Sequence, residues 1–194
     1  TNGIQYARKI QNAVLPTSEA LKANFPQSFV LHKAKDIVSG DFYWWVDKED
    51  VFLAAAVDCT GHGVPGAFMS VIGSNALNAI VNEYAIHEPE AILQMLHHKV
   101  KTTLKLDEEK TIIRDGMDIA LCAIHKPTRT LMFAGANRPL YLIRAGELIE
   151  LDGTRCAIGG VLPDSREVIF TATETQLQPG DTIYLFSDGY ADQF

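Results

Sequence analysis

Four aspartates stand beside or near a glycine where a strand is expected to end: Gly40-Asp41, Asp58 with Gly61, Asp115-Gly116 and Ser187-Asp188-Gly189. One such pair alone is a turn signal. Four of them describe something else. Carboxylates at strand ends project from rigid elements into a shared space, and adjacent glycines let backbone carbonyls and water approach. Hard divalent cations such as Mg2+ or Mn2+ need this kind of oxygen-rich surrounding. Without a cation, converging carboxylates repel one another and raise their own pKa values.

Other groups offer competing chemistry. Gly61, Gly63 and Gly66 form a GxGxxG run between an expected strand and an expected helix, the context of a dinucleotide-binding turn. That fingerprint also needs a second strand ending in an acid after the helix, whereas a second helix follows here. Asp58 would in addition repel a pyrophosphate. A dinucleotide-binding domain is therefore a remote alternative. His62, next to the Asp58 segment, is a candidate general acid; the stronger alternative is that it caps the turn or hydrogen-bonds Asp58. Cys59, Cys122 and Cys156 show no CxxC pattern and no Cys-x5-Arg loop, so neither a disulfide framework, nor a structural zinc site, nor a cysteine nucleophile fits. His97-His98 lies on an expected helix away from the acids, and solvent exposure is its expected state. For Trp44-Trp45, strand alternation sends one ring into the core and the other outside.

The elements that must position these groups follow from periodicity. Ile4, Ala7, Ile10, Gln11, Val14 and Leu15 recur at three- and four-residue steps up to Pro16, which predicts an amphipathic helix. Residues 1–16 are read as a linker or regulatory helix cut from something longer, with a plain packing helix as the alternative, and 17–194 as the domain proper. A short helix is expected at 18–24. Strands are expected at 29–33, 41–46 and 51–57, and two long helices at 65–84 and 88–106. Strands then return at 119–125, 130–134, 140–144, 148–151, 168–172 and 182–186. Strands, paired helices, then many strands indicate an α+β fold rather than a parallel α/β sheet.

Composition narrows the function classes. The 194 residues carry 24 Asp+Glu against 17 Lys+Arg, a net charge of −7, with 47% hydrophobic residues. This balance opposes binding to nucleic acid or anionic lipid, both of which rely on clustered Lys and Arg. The longest uninterrupted apolar stretch, 51–57, is far short of a bilayer span. A reducing cytoplasm suits three unpatterned cysteines, although a parent protein could be anchored through another region.

The motifs Val38-Ser-Gly-Asp41-Phe-Tyr, Asp58-Cys-Thr-Gly-His-Gly63 with Pro65-Gly-Ala, Phe133-Ala-Gly-Ala-Asn137-Arg-Pro, and Pro179-Gly-Asp-Thr-Ile-Tyr-Leu-Phe-Ser-Asp188-Gly resemble the metal-dependent PPM (type 2C) protein phosphatases, most closely the SpoIIE/RsbU branch of bacterial signalling phosphatases. The resemblance covers nearly all of the chain beyond the first helix. It implies an α-β-β-α fold, two antiparallel sheets flanked by helices. It also implies two Mn2+ or Mg2+ ions bridged by Asp58, with the Cys59 backbone carbonyl as a further ligand, Asp41 serving the second ion and Asp188 the first. Asp115 matches the position of a third, weaker metal in some members, and Asp118 is a substitute for it. The expected activity is hydrolysis of phosphoserine or phosphothreonine by metal-activated water, on a phosphorylated regulatory protein such as an anti-sigma-factor antagonist. An upstream sensor domain and a homodimer through the first helix are the other implied partners.

Two departures from the pattern stand out. Relatives continue past Ser-Asp-Gly to a closing strand with another metal-binding aspartate, whereas this sequence ends at Phe194 and is expected to be C-terminally truncated. That departure supports the main alternative, a catalytically impaired interaction or signalling module. Ala136 stands where relatives commonly carry His, a change expected to alter the surface of the site rather than its metals.

Overall fold

The computed structural model describes residues 2–34, 36–106, 116–161 and 167–189. Helix α1 (Asn2–Val14) and short α2 (Ser18–Asn24) precede strands β1 (Phe42–Asp47) and β2 (Val51–Cys59). Helices α3 (Gly63–Asn78) and α4 (Pro89–Leu104) follow, α3 ending in a wider π-helical turn at Ala79–Glu83. Strands β3 (Met117–His125), β4 (Thr130–Ala136), β5 (Leu140–Arg144), β6 (Glu147–Leu151), β7 (Thr173–Gln176) and β8 (Thr182–Tyr184) complete the described fold. Two antiparallel sheets result, ordered β1-β2-β3-β4-β7 and β6-β5-β8, flanked by helices.

Strand alternation builds the two cores. On β3, Met117, Ile119, Leu121 and Ala123 face the helices and pack with Leu77, Ile80, Leu93, Leu96 and Val100. The alternate residues Ala120 and Cys122 join Leu131, Phe133, Leu140 and Leu142 between the two sheets. The central strand is thus apolar on both faces, which accounts for its near-continuous hydrophobic sequence. The run Gly63–Glu83 is long and apolar enough by length and composition to cross a bilayer, yet 50% of that stretch is buried inside the fold. Its small residues Ser70, Gly73 and Ser74 lie on the buried face of α3.

Antiparallel pairing of β2 with β3, in register from Val51↔His125 to Cys59↔Met117, removes the parallel βαβ unit that a dinucleotide turn requires. The glycines of that run serve close packing instead. A Cβ on Gly66 would come 2.5 Å from the Gly61 carbonyl and 3.0 Å from the Gly40 Cα, so two loops touch there through bare backbone.

Several expectations need correction. Residues 29–33 form no strand; Phe29 and Leu31 are exposed. Residues 168–172 form none either, because the Gln94 side chain takes the backbone groups a neighbouring strand would use: it donates to the Val168 carbonyl at 3.0 Å and accepts from Phe170 N–H at 3.3 Å. His97 is buried, not exposed; its Nδ1 accepts from Gly159 N–H at 3.1 Å and its ring meets Phe170 edge-on. Trp44 enters the core as alternation requires and donates to Asn78 Oδ1 at 2.8 Å. Trp45 stays half-buried beside Phe52 rather than standing outside. Ile10, expected in the inner stripe of α1, is exposed. Ala136 is fully buried in the helix-side core, so a change there acts on packing and not on the site surface.

Candidate metal centre

Asp58 is the penultimate residue of β2 and Asp118 the second of β3, and the two are cross-strand partners. Both fall out of phase with the helix-facing Val57, Cys59, Met117 and Ile119, so their carboxylates open toward the second sheet, at the end of the cleft between the sheets. Asp188 reaches the same place from the segment after β8, and Asp41 from the residue before β1.

The turn between β4 and β5 supplies the counter-charge. Arg138 Nη2 donates to Asp58 Oδ2 at 2.6 Å, hydrogen-bonds Asp188 Oδ2, and lies 3.7 Å from Asp118 Oδ2. The preceding Asn137, in the left-handed region at φ 58°, donates from Nδ2 to Asp118 Oδ1 at 2.9 Å. Asp41 has a donor of its own: Ser187 Oγ donates to its Oδ2 at 2.8 Å. Its backbone carbonyl lies 3.0 Å from His32 Nε2.

The electrostatics follow the geometry. The Asp58 carboxyl is pushed up to about 7, first by burial and then by the negative charges of Asp41 and Asp188. Burial also presses on Asp188, but hydrogen bonds from Arg138 and Asp58 outweigh it and hold Asp188 below the usual carboxylate value.

The loops are tied at their ends. Thr60 N–H and Oγ1–H both donate to the Gly116 carbonyl, at 2.9 and 3.0 Å, and Thr60 Oγ1 accepts from Gly116 N–H at 3.1 Å. Gly40 leaves room for two carbonyls, since a Cβ there would come 2.8 Å from the Gly61 oxygen and 3.1 Å from the Cys59 oxygen. The Cys59 carbonyl therefore lies beside the segment that carries Asp41, while its thiol is buried among the helix-facing residues.

His62 precedes α3 without capping it by its side chain. Its ring is 83% exposed and Nδ1 stands 3.4 Å from Asp36 Oδ2, so it turns to Asp36. Asp115 lies outside the described residues. Arg138 was not among the site residues expected from sequence; its one signal there is a basic residue directly after Asn137 in a glycine-containing strand end.

Does the donor set suit a hard divalent cation? Its chemistry does: carboxylate and carbonyl oxygens converge, and Asp58, raised first by burial and then by the charges of Asp41 and Asp188, is a carboxyl whose ionised form a cation would favour. Among the described residues no three His, Cys, Asp or Glu side chains already stand in ion-holding geometry. The acids are gathered around a guanidinium instead.

Comparison with known proteins agrees with this architecture. The family model described as stage II sporulation protein E (SpoIIE) matches residues 48–194. The SiaA-PP2C domain of Pseudomonas aeruginosa matches with a TM-score of 0.87 and 35% identity, over 99% of this chain and 73% of that one. Two more distant structures share the fold. The PP2C phosphatase domain with a regulatory-domain fragment of SpoIIE from Bacillus subtilis has a TM-score of 0.65 at 23% identity, over 82% of this chain and 44% of that one. RsbX in complex with magnesium has a TM-score of 0.56 at 15% identity, over 80% and 69% respectively. No curated protein sequence matches the chain.

Proposed function

Since the chain belongs to the SpoIIE family of PP2C-type phosphatases, we propose that it hydrolyses phosphoserine or phosphothreonine in a bacterial signalling protein, with Mn2+ or Mg2+ as cofactor. The observation that carries this reading is the meeting of Asp41, Asp58 and Asp188, from three separate segments, at one end of the cleft. Asp58 would be shared by two ions, with Asp188 completing the first and Asp41 the second, and the Cys59 carbonyl as a further ligand. Asp115, or Asp118 in its place, would serve a weaker third. RsbX in complex with magnesium, a distant relative by fold, is compatible with this choice of ion.

Bound there, such ions supply an activated water and positive charge to offset that of the transferring phosphoryl group. The protein's own part is positioning. Ser187 fixes one oxygen of Asp41. Gly40 admits the Cys59 carbonyl next to it. The Thr60 hydroxyl locks the β2 end to Gly116, and through it the start of β3. No side chain needs to act as nucleophile, and the three thiols are unsuited to it: all are buried, and burial raises each above the ordinary thiol value. His62, exposed and paired with Asp36, is the proposed proton donor to the leaving serine oxygen.

The substrate we infer is a small phosphorylated regulatory protein such as an anti-sigma-factor antagonist, and the setting the cytoplasm. Helix α1 would connect to an upstream sensor, and its exposed Tyr6 and Ile10 offer a surface for a second copy. The guanidinium among the acids favours one other reading, a phosphatase fold that binds its partner without turnover.

Hydrolysis of p-nitrophenyl phosphate and of a phosphoserine peptide, titrated with Mn2+, separates the two. The phosphatase reading requires metal-dependent turnover that Asp58→Asn lowers by about a hundredfold or more, the scale on which loss of a principal charge-stabilising group acts. Turnover that survives Asp58→Asn refutes the assignment of Asp58. Partner binding with no turnover in either protein supports the binding module.

A further inference from the structure

Arg138 carries the most positive charge in the site, yet the chemistry above gives it no role. Its backbone is firmly placed. Asn137 N–H donates to the Thr154 carbonyl at 2.8 Å, Thr154 N–H returns to the Gly135 carbonyl at 2.8 Å, and Pro139 follows. The Arg138 carbonyl packs over Gly135 and Gly153, where a Cβ on Gly153 would come within 2.6 Å of it. From this seat the side chain, 16% exposed, points into the acid cluster.

The way it binds is informative. An arginine serving carboxylates best does so through two parallel N–H bonds. Here the single nitrogen Nη2 makes the contacts to Asp58, Asp188 and Asp118, while Nε is buried without a hydrogen-bond partner among the described residues. The guanidinium acts as a point charge among converging oxygens, at the cost of an unsatisfied donor. The two carboxylates it hydrogen-bonds are the two assigned above to the first ion, and Asp41, assigned to the second, is held by Ser187 instead.

We propose that Arg138 is a built-in competitor for the first metal ion: it neutralises Asp58 and Asp188 until a cation displaces it, and so sets the metal concentration at which the site fills. The proposal rests on the reading of Asp58 and Asp188 as ion ligands. It places a regulatory threshold in the β4–β5 turn, apart from any input through α1.

Calorimetric titration with Mn2+, together with thermal denaturation with and without the ion, tests it on wild type, Arg138→Gln, Arg138→Lys and Asp58→Asn. Arg138→Gln is expected to bind its first Mn2+ about tenfold tighter or more, the factor that one lost charge-assisted hydrogen bond represents. Its melting temperature should fall below wild type without metal and recover as Mn2+ is added, because only the ion then neutralises the acids. Arg138→Lys keeps the charge on a shorter, single-headed group and should lie between the two; it carries the test if Arg138→Gln does not fold. Mn2+ uptake by wild type with equal or weaker uptake by the Arg138 variants overturns the competition and leaves the ligand assignment standing. No uptake by wild type or by Arg138→Gln, or uptake unchanged in Asp58→Asn, overturns the ligand assignment and the proposal with it.

Discussion

Gln11 offers the sharpest test of how the first helix is joined to the site. Its side chain is buried on the inner face of α1, where Nε2 donates to the Ser39 carbonyl at 2.5 Å and to Ser70 Oγ at 2.8 Å. Its Oε1 accepts from Ser39 N–H at 3.1 Å. One amide thus satisfies both backbone groups of a residue two positions before Asp41 and clasps α3 as well. Gln11→Leu keeps nearly the same volume and removes all three bonds. Ser70 still donates to the Ala67 carbonyl at 2.8 Å, so the main loss is the pair of backbone groups on Ser39. At about 1 kcal/mol or more for each unsatisfied group, the variant should lose about 2–3 kcal/mol. For a domain of this size that is a fall of about 5–10 °C in melting temperature. Differential scanning calorimetry measures it directly, and Mn2+ titration should show weaker uptake because the Asp41 segment has lost its tether. A double-mutant cycle with Ser70→Ala, expected to show coupling of about 0.5–1 kcal/mol, isolates the α1–α3 clasp from the Ser39 bonds. A melting temperature within about 2 °C of wild type would refute the reasoning, since it would mean that the amide is not needed to satisfy Ser39.

Two further outcomes follow from features away from the metal centre. Arg144 grips Asp181 with Nε at 3.0 Å and Nη2 at 2.7 Å, and that hydrogen bond, helped by Gln178 N–H, holds the Asp181 carboxyl below its usual value. A depressed carboxylate contributes stability that is present above its unfolded pKa of about 3.9 and is lost as pH falls through the folded value. Urea unfolding between about pH 5 and pH 2 should therefore show a smaller acid loss in Asp181→Asn than in wild type, and equal slopes would show that the pair contributes nothing. The three thiols are buried, Cys122 being pushed up to about 12 by burial. Ellman's reagent should label none of them rapidly in the native protein and all three in denaturant; fast native labelling of any one would contradict the packing of its strand or loop.

Short, near-continuous apolar runs made the central strands readable, as expected of strands buried on both faces. Residues 51–57 and 119–125 sit in β2 and β3, extended in the structure to Val51–Cys59 and Met117–His125 because ladder pairing continues to Cys59↔Met117. A similar run misled at 168–172. Val168 and Phe170 are buried and alternate like strand residues, but their backbone partner is a glutamine side chain on α4, and periodicity reports burial without saying who satisfies the backbone. At 29–33 the run Phe29-Val30-Leu31 favours a strand by residue type, but among the described residues no strand pairs with it. His97 was readable in principle, since it follows Leu93 by four residues on the buried stripe of α4. Arg138 was not, because its partners lie 80 and 50 residues away in sequence, and nothing local says which carboxylates a turn residue will meet.

The register of β2 against β3 explains why two successive turn residues are both committed to this site. Asp58 and Asp118 are direct cross-strand partners, and like charges in that position destabilise a sheet. Each therefore needs its own donor from outside the two strands. Asn137 and Arg138 supply one each, from the adjacent turn: the amide to Asp118 at 2.9 Å and the guanidinium to Asp58 at 2.6 Å. Neighbouring residues on an extended strand point to opposite faces, so two consecutive side chains can serve the same pair of acids only if the backbone leaves the strand between them. The left-handed φ of 58° at Asn137 does this, and asparagine tolerates that conformation better than most residues. The turn at 137–138 is thus shaped by the acid pair it faces. The cost of gathering carboxylates at a strand end reappears in the sequence as an Asn-Arg pair directly after the strand that borders them.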